Sequence, residues 1–346
     1  MHQNNFHLIR LIAALQVAFV HAVEWLKIPV PQEILYMVGL FPGVTIFFAI
    51  SGYLIADSYL RSPDSYAVNR ALRIYPALWV CFGVSLVIAW YFGQLEGVGF
   101  GKIAPWALGQ LTFVQYSPDF LQGFGTGAMN GVLWTIMVEL QFYVLLPFIL
   151  SFVGRSRTRF ALIFITALVV GVTYLYLRAY HFGSAAEKGM LRLVLSWLYV
   201  FLVGVFLRLN SRALDCLKGN AGYILLGYFA IVLIVGERFT VTGNDATPLT
   251  TIPLALLTIS AGYTVPWLSK RLLGANDISY GLYIYHMLVI NIFVHTGQTG
   301  QWGHLLFALG ISVAIAFASW IAIERPALAL KKRRSSAHVP LVPQQQ

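Results

Sequence analysis

The chain has 346 residues, of which 58% are hydrophobic, 15% aromatic and only 10% charged, and its mean hydropathy is +0.73. Soluble globular domains carry about 25% charged residues, so this composition excludes a soluble protein and is typical of a polytopic membrane protein. Basic loops next to anionic lipid headgroups account for the net charge of +10, which gives no support to nucleic-acid binding. The spacing of the two cysteines, Cys81 and Cys216, fits neither a disulfide framework nor a zinc cluster, and we expect no metal site.

Ten apolar windows follow one another along the chain, each long enough to cross a bilayer, which takes roughly 17 to 25 residues. They centre on residues 7–27, 35–58, 76–93, 132–153, 160–178, 191–208, 221–237, 249–268, 279–296 and 303–324. The sequence therefore predicts an all-α, polytopic membrane protein of about ten transmembrane helices. Residues 1–330 form its transmembrane domain and residues 331–346 a basic tail that we expect to be disordered. We expect the first helix to be retained, since its cleavage signal is weak.

The basic residues of the connecting segments indicate which side the termini face. With ten spans both termini lie on one side, and placing them inside puts 17 of the 23 Lys and Arg residues inside as well. The six that remain outside stand beside acidic residues. Because cytoplasmic loops carry an excess of Lys and Arg, both termini are predicted to be cytoplasmic.

The first window, LIRLIAALQVAFVHAVEWL, carries Arg10 and His21 in an otherwise apolar run. A charge inside a bilayer costs free energy, so such a residue is usually at a helix end or has a function. The two residues are close to three helical turns apart, so they project from one stripe of the helix, about 16 Å apart along its axis. Arg10 is either a surface anchor or part of a site. His21 is either a helix-end residue bonded to a carbonyl or part of a site.

Two motifs lie around the first predicted cytoplasmic connection. FFAISGYLI places Ser51 and Gly52 near the inner end of the second helix. A Ser-Gly pair within a span is typical of a close-packing point, and its flanks do not form a Gly-x-Ser-x-Gly nucleophile turn. NRALRIYP then places Arg70 and Arg73 three residues apart, with Tyr75 as a supporting residue. Arginine forks match phosphate oxygens, so this pair either binds phosphates or anchors the cytoplasmic side.

Glu139 stands in the fourth window, in LWTIMVELQFYVLLP, five residues after Trp134. A buried carboxylate needs a partner, and hydropathy places Glu139 and His21 at a similar depth. We therefore expect Glu139 to bond to His21, orienting the ring and raising its basicity, with an Arg or a Trp N–H as the alternative partner. The outer connection before this window, about residues 94–131, is rich in Gly and aromatic residues and is predicted to be a lid or a re-entrant segment.

The ninth window begins in DISYGLYIYHMLVIN, which places Tyr280 near its cytoplasmic start and His286 within the span. We expect His286 to face the interior of the bundle, because an ionisable residue in a span rarely faces lipid. Both residues are predicted to support the site.

Five motifs in this order resemble the acyltransferase-3 family of membrane acyltransferases, which includes enzymes that O-acetylate O-antigens, exopolysaccharides and nodulation factors. They are the Arg-x10-His of the first helix, FFAISGYLI, RALRIYP, LWTIMVELQFYVLLP, and SYGLYIYH followed by ERP. The resemblance implies about ten transmembrane helices in the bacterial inner membrane. It also implies transfer of an acyl group, most often acetyl, from cytoplasmic acyl-CoA to a hydroxyl on the outer side. Acetyl-CoA is then a donor substrate, and no cofactor is bound permanently.

The resemblance assigns the family's functional residues to Arg10, His21, Arg70, Arg73, Trp134 and Glu139. One position departs from it, since many relatives carry Asp where this chain has Thr45. We also expect no fused extracytoplasmic domain of the kind that some relatives carry, and we therefore expect the membrane domain or a partner to recognise the acceptor.

From the residues and the resemblance together, we predict that Arg70, Arg73 and Arg10 hold the phosphates of CoA. His21, oriented by Glu139, would deprotonate the acceptor hydroxyl, with direct transfer as the first choice. An acyl-enzyme on His21 or Ser51 stays open. The expected acceptor is a carbohydrate or a lipid-linked glycan, whose identity and delivery stay open, as does the oligomeric state.

Two other classes of function fit parts of the pattern. In a secondary transporter or flippase, the buried His, Glu and Arg residues would form a pathway for a proton or a substrate. Transporters more often show repeat symmetry, which is not visible in this sequence. A purely structural membrane subunit is the third possibility, and it would not need buried charges.

Overall fold

The structure, a computed structural model, describes residues 4–112, 114, 116–181, 183–236 and 246–337, with the backbone alone for 332–337. Its α-helices are α1 (Phe6–Trp25), α2 (Gln32–Gly39), α3 (Gly43–Arg61), α4 (Tyr66–Tyr91), α5 (Phe100–Leu111), α6 (Trp134–Val153), α7 (Arg157–Tyr180), α8 (Ala185–Leu191), α9 (Leu198–Leu209), α10 (Ser211–Leu217), α11 (Ala221–Val235), α12 (Pro248–Tyr263), α13 (Leu268–Leu273), α14 (Ser279–His295), α15 (Trp302–Ser319) and α16 (Arg325–Ala337). A π-helical turn, Trp320–Glu324, joins the last two. Within the described residues no β-strand occurs, so the predicted all-α class is confirmed.

Six stretches of the described chain are helical, long and apolar enough to cross a membrane. They are Phe6–Trp25, Gln32–Arg61, Tyr66–Tyr91, Gly131–Val153, Arg157–Tyr180 and Trp302–Lys331. Helices also lie in the other four predicted windows, but α9, α11, α12 and α14 have only 12, 15, 16 and 17 residues. α10 and α11 meet at an angle of 85°.

Helix α14 occupies the centre of the bundle and packs against α1, α4 and α15. Its own apolar side chains point in all directions, and a helix that is apolar on every face is buried. Fourteen of its 17 residues are buried, including His286 and Asn291. α7, by contrast, has only 17% of its apolar window buried and lies at the periphery. The helix with the predicted site residue His286 is therefore the one most enclosed by protein.

Two glycines allow α3 and α9 to pack closely together. A Cβ added to Gly52 would meet the backbone oxygen of Phe201, and one added to Gly204 would meet the backbone oxygen of Ala49. Backbone cannot move aside as a flexible side chain can, so each position accepts only a hydrogen. The prediction that the Ser-Gly pair marks a close-packing point is confirmed for Gly52.

Several helix boundaries differ from the predicted windows. The second window is divided between α2 and α3 at Pro42. The third predicted helix, α4, begins at Tyr66, ten residues before its window, and contains Pro76 within it. α16 continues through residue 337 into the predicted tail, and residues 338–346 of that tail lie outside the described residues.

The connection between α4 and α6 folds back onto the bundle. It contains α5 and two short turns, Asp119–Leu121 and Gly131–Leu133. Asn291 of α14 holds it, accepting a hydrogen bond from the backbone N–H of Thr126 at 2.7 Å and donating to the carbonyls of Ala128 and Met129 at 3.0 and 2.9 Å. Gly125, at a φ of 55°, fits closely against the same Asn291 side chain. This connection supplies one wall of a cavity in the site.

Candidate active site

Two histidines form a pair between α1 and α14. His21 Nδ1 lies 3.0 Å from His286 Nε2, and the rings are nearly parallel, with centroids 5.3 Å apart and an angle of 6°. The other ring nitrogen of His286, Nδ1, lies 3.1 Å from the carbonyl oxygen of Leu282. The structure therefore brings together a first-choice site residue and one that was predicted only to support the site.

The directions of the hydrogen bonds that link Leu282, His286 and His21 follow from the chemistry of these groups. The Leu282 carbonyl can only accept, so His286 Nδ1 carries the proton, and in the neutral ring Nε2 is then an acceptor. His21 Nδ1 must donate to it. His21 Nε2 is left as an unprotonated lone pair, and it makes no hydrogen bond to the described residues. A neutral imidazole held in this tautomer is suited to accept a proton from a substrate.

Glu139 does not bond to His21, which corrects our expectation. Its Oε1 accepts hydrogen bonds from Tyr143 OH at 2.6 Å and from Ser51 Oγ at 3.1 Å. The sequence misled because equal depth in the membrane does not place two residues on facing sides of neighbouring helices. Neither alternative partner, an Arg or a Trp N–H, is bonded to Glu139 in the described part of the chain; hydroxyl groups take their place.

Asp277 joins the arginines at the opposite end of α1. Its Oδ2 lies 2.6 Å from Arg73 Nη2, 3.2 Å from Arg10 Nη1 and 3.1 Å from His7 Nδ1, while Ser279 Oγ donates to its Oδ1 at 2.6 Å. Burial by itself raises the pKa of the Asp277 carboxyl, but the charges of Arg73 and Arg10 outweigh it and hold the pKa well below its ordinary value. This carboxylate is charged, and it fixes two of the three arginines predicted to bind the donor.

Arg70 is the third of those arginines, and it makes no ion pair with the described residues. Its guanidinium lies over the ring of Tyr143, 5.7 Å from the centroid, and its Nε is buried without a hydrogen-bond partner. A buried N–H without a partner costs about 1–3 kcal/mol. Of the three, Arg70 therefore keeps the most hydrogen-bonding capacity for a ligand.

Three cavities lie in series through the site. The Arg10 cavity has Arg10, Val44, Thr135, Glu139, Tyr280 and Tyr283 in its wall. The His21 cavity is lined by Gln16, His21, Val44, Trp134 and Tyr283 among others. The Trp106 cavity is lined by Trp106, Gln110, Asn130, Trp134 and Arg192 among others.

Neighbouring cavities share wall residues. Val44 and Tyr283 belong to both the Arg10 and the His21 cavity, and Trp134 belongs to both the His21 and the Trp106 cavity. His21 consequently lies in the middle of the series, with Arg10 and Glu139 on one side and Arg192 on the other. A reaction between two substrates that approach from opposite ends would meet at His21.

The supporting residues divide into two groups. Tyr280 lines the Arg10 cavity, donates to the carbonyl of Ile74 at 3.0 Å, and lies beneath the guanidinium of Arg73. Trp134 separates two cavities, as described above. Tyr75, in contrast, packs against Trp79 with centroids 5.6 Å apart and lines none of the three cavities.

Three residues of the site were missed in the sequence. Asp277 stands in a polar connection outside every apolar window, so it lacked the signal of a charge in a span. Tyr143 and Tyr283 are common types in membrane helices, and only the fold shows that Tyr143 binds Glu139 and that Tyr283 OH pairs with Thr135 Oγ1 at 2.7 Å. The Asp277 position next to SYGLYIYH was the one available hint.

Comparison with known proteins places the chain in a family. Residues 3–323 match the family model described as "Acyltransferase domain". "Nodulation protein 10" of Rhizobium leguminosarum bv. viciae is 34% identical over 95% of this chain and 94% of its own length. "O-acetyl transferase" of Shigella phage Sf6 is 24% identical over 94% and 96%. "Exopolysaccharide production protein ExoZ" of Rhizobium meliloti (strain 1021) is 28% identical over 83% and 89%. No solved structure matches.

The chain belongs to this acyltransferase family, as the sequence motifs had indicated, and it is a multi-pass membrane protein. The family and the all-α class were predicted correctly, and the count of ten spans stays a prediction. The roles of individual residues stay predictions, to which the geometry adds the His21–His286 pair.

Proposed function

Taking the acyltransferase family as the premise, we propose that this protein moves an acetyl group from acetyl-CoA to a hydroxyl of a carbohydrate. The observation that carries the proposal is the pair His21–His286, which leaves one imidazole nitrogen of His21 unbonded, together with the position of His21 in the wall of the middle cavity of three. A relative named for exopolysaccharide production supports a carbohydrate or lipid-linked glycan as the acceptor.

The proposed topology has ten spans with both termini in the cytoplasm of a bacterium, in the inner membrane. The six long helices supply six spans, and α9, α11, α12 and α14 supply the other four. The excess of basic residues on the side of the N-terminus supports this orientation. The Arg10 cavity is then near the cytoplasm and the Trp106 cavity near the outer surface.

The donor in this proposal approaches from the cytoplasmic end. The phosphates of CoA are anionic and do not cross a bilayer, so they need cations at the membrane surface. Arg70 has unused hydrogen-bonding capacity, and Arg73 and Arg10 are held nearby by Asp277. Arg10 and His21 are about 16 Å apart along α1. The pantetheine arm of CoA would extend through the Arg10 cavity over that distance and bring the thioester to His21.

The transfer step uses His21 as a general base. Nε2 of His21 takes the proton of the acceptor hydroxyl while the hydroxyl oxygen forms a bond to the thioester carbonyl carbon. The carbon–sulfur bond then breaks, and the proton passes from His21 to the sulfur of CoA. His286 stabilises the transient imidazolium through the hydrogen bond from His21 Nδ1.

An acyl-enzyme on Ser51 is the second route. Its hydroxyl donates to Glu139 at 3.1 Å, which is the contact an activating base would make. Ser51 is not part of the wall of the His21 cavity, however, so direct transfer agrees better with the geometry.

The test compares acetyl-CoA with its 3′-dephospho form on the purified protein in detergent. Acetyl-CoA should raise the unfolding temperature more than the dephospho form, because a ligand that binds the folded state stabilises it. Free CoA thiol should also accumulate with time. Absence of both thermal protection and thiol release would contradict the proposal and favour a transporter.

A further inference from the structure

We propose that the Trp106 cavity binds a sugar ring that carries a carboxylate, and that Arg192 recognises this carboxylate. The inference rests on the proposed function, because it names the class of acceptor for the same reaction. The Trp106 cavity is at one end of the series, and Trp134 lies between it and His21.

Aromatic residues form the walls of this cavity. Trp106 of α5 is 1% exposed and is fixed edge-on by Phe82 and Phe120, with centroids 5.3 and 5.6 Å away. Trp134 is packed against Trp197 at 5.5 Å. The face of an aromatic ring carries partial negative charge, so it attracts the partly positive C–H groups on the face of a sugar. Trp134, the less buried of the two indoles, offers its surface to such a ligand, and the buried Trp106 makes the wall of the cavity rigid.

Asn130 supplies an unused hydrogen-bond acceptor in the same wall. Its Nδ2 donates to the carbonyl of Ile284 at 2.8 Å, which fixes the amide, while its Oδ1 is buried without a partner among the described residues. Leaving such an oxygen unpaired costs about 1–3 kcal/mol. A sugar hydroxyl is a donor of the kind that this oxygen lacks, and a small rotation of the Asn130 side chain, which lines the cavity, would let the two meet.

Arg192 adds a solvent-exposed cation to the cavity wall, with no acidic partner in the described part of the chain. Its backbone carbonyl accepts a hydrogen bond from Gln141 at 2.7 Å, which ties the residue to α6 between α8 and α9. The nearby Arg178, in comparison, is already paired with Glu187 at 3.6 Å. An unpaired guanidinium binds a planar carboxylate through two parallel hydrogen bonds, so it selects an acidic sugar over a neutral one.

The cavity is also next to the proposed base. Trp134 lines both the Trp106 and the His21 cavity, so a sugar ring stacked near Trp134 would have its hydroxyls close to His21. Recognition of the carboxylate by Arg192 and of a hydroxyl by Asn130 would then set which hydroxyl is presented for transfer.

The experiment measures binding without any acyl donor, so it does not depend on catalysis. Methyl β-D-glucuronide and methyl β-D-glucoside, which differ only in the carboxylate, are titrated against the full-length protein in detergent, with saturation-transfer NMR as the readout. The variants are Arg192→Gln and, as a matched control, Lys102→Gln. Lys102 is an exposed cation on α5, the helix of Trp106, and it does not line the cavity.

We expect the wild type and Lys102→Gln to bind the glucuronide about tenfold more tightly than the glucoside, and Arg192→Gln to bind both equally. Equal affinities in the wild type, a preference that survives in Arg192→Gln, or binding of neither glycoside would overturn the inference. A wild type that prefers the glucuronide but releases no CoA from acetyl-CoA would contradict the proposed function and leave this binding site supported.

Discussion

At the scale of single residues, His286 determines which nitrogen of His21 is available. The carbonyl of Leu282 holds the proton on His286 Nδ1, and the pair in turn leaves His21 Nε2 without a proton. His286 is completely buried, so it acts through His21 rather than on a substrate. In our account it is a positioning residue.

Replacing His286 with Ala should therefore lower kcat for acetyl transfer about 100-fold, which is within the usual contribution of a general base. The KM for acetyl-CoA should stay within about twofold, because the donor cations are at the other end of α1. The side chain of His286→Gln can still accept a hydrogen bond, so partial recovery of kcat in this variant would support the orienting role. His295→Gln, on the same helix but exposed, is the control and should leave kcat unchanged. A wild-type kcat in His286→Ala would refute the role.

The ion pairs of Asp277 lead to a prediction about the free energy of unfolding. Its side chain is 2% exposed, and Asp277→Asn would remove the carboxylate bonded to Arg10 and Arg73, whose side chains are only 19% and 12% exposed. Breaking a buried pair in this way costs about 3–5 kcal/mol of unfolding free energy. Asp215→Asn, which removes an exposed partner of Lys218, should cost about 1 kcal/mol or less. Denaturant unfolding in detergent measures both, and equal losses would contradict the account.

The same carboxylate gives a pH dependence with a definite sign. Because its pKa is lowered in the folded protein, its stabilising contribution is complete above the unfolded pKa of about 3.9 and is lost as the pH falls below that value. Asp277→Asn should remove this part of the acid sensitivity.

The sequence indicated which residues place a costly charge in an apolar run, but it did not indicate which residues they contact. Arg10, His21 and Glu139 stood out because a charged or titratable group in an apolar run is expensive. The partner of His21, however, is 265 residues away on α14, and no property of either segment indicates which helices become neighbours. The wrong pairing of His21 with Glu139 has this origin.

At the scale of helices, the contact of α3 with α9 depends on Gly52 and Gly204. Their α-carbons approach backbone oxygens of the other helix too closely for a side chain. Since Ser51 and Glu139 meet beside this contact, the packing also sets the geometry of one side of the Arg10 cavity.

Gly52→Ala should destabilise the protein by about 1–3 kcal/mol, the usual cost of overpacking a core. Gly310→Ala in α15 is the matched control, because no atom lies within 4 Å of its added Cβ. Alanine has the higher helix propensity, so this variant should be neutral or slightly more stable. Thermal unfolding in detergent compares them, and a neutral Gly52→Ala would mean that α3 and α9 are further apart than described.

Hydropathy predicted the helices better than their ends. A membrane requires long apolar runs, and helices lie in all ten windows for that reason. Where α4 begins could not be predicted, because Pro76 indicates a helix start in a sequence although the structure places it inside a helix. The predicted depth of Glu139 in the membrane was counted from a predicted helix end, so it was equally uncertain.

At the scale of the whole molecule, the three cavities and the proposed orientation form one arrangement. A cytoplasmic donor and an outer acceptor reach His21 from opposite sides only if the Arg10 end of α1 faces the cytoplasm. The distribution of basic residues favours this orientation, and it can be measured directly with the natural cysteines.

Cys216 is exposed on α10, and Cys81 is buried. The proposed topology places Cys216 in the cytoplasm, so a membrane-impermeant maleimide should label it in inverted membrane vesicles and not in intact spheroplasts. Cys216→Ser should abolish the signal, since Cys81 is inaccessible. Labelling of Cys216 in spheroplasts would reverse the orientation and with it the assignment of donor and acceptor ends.

The central claim, that His21 is the base of an acetyl transfer, is tested most directly by following the acetyl label of acetyl-CoA in membranes that contain the protein. Wild type and His295→Gln should transfer the label and release the CoA thiol, and His21→Ala should do neither while keeping its unfolding temperature and its protection by acetyl-CoA. Transfer by His21→Ala at the wild-type rate would contradict the claim and direct attention to Ser51 and Glu139.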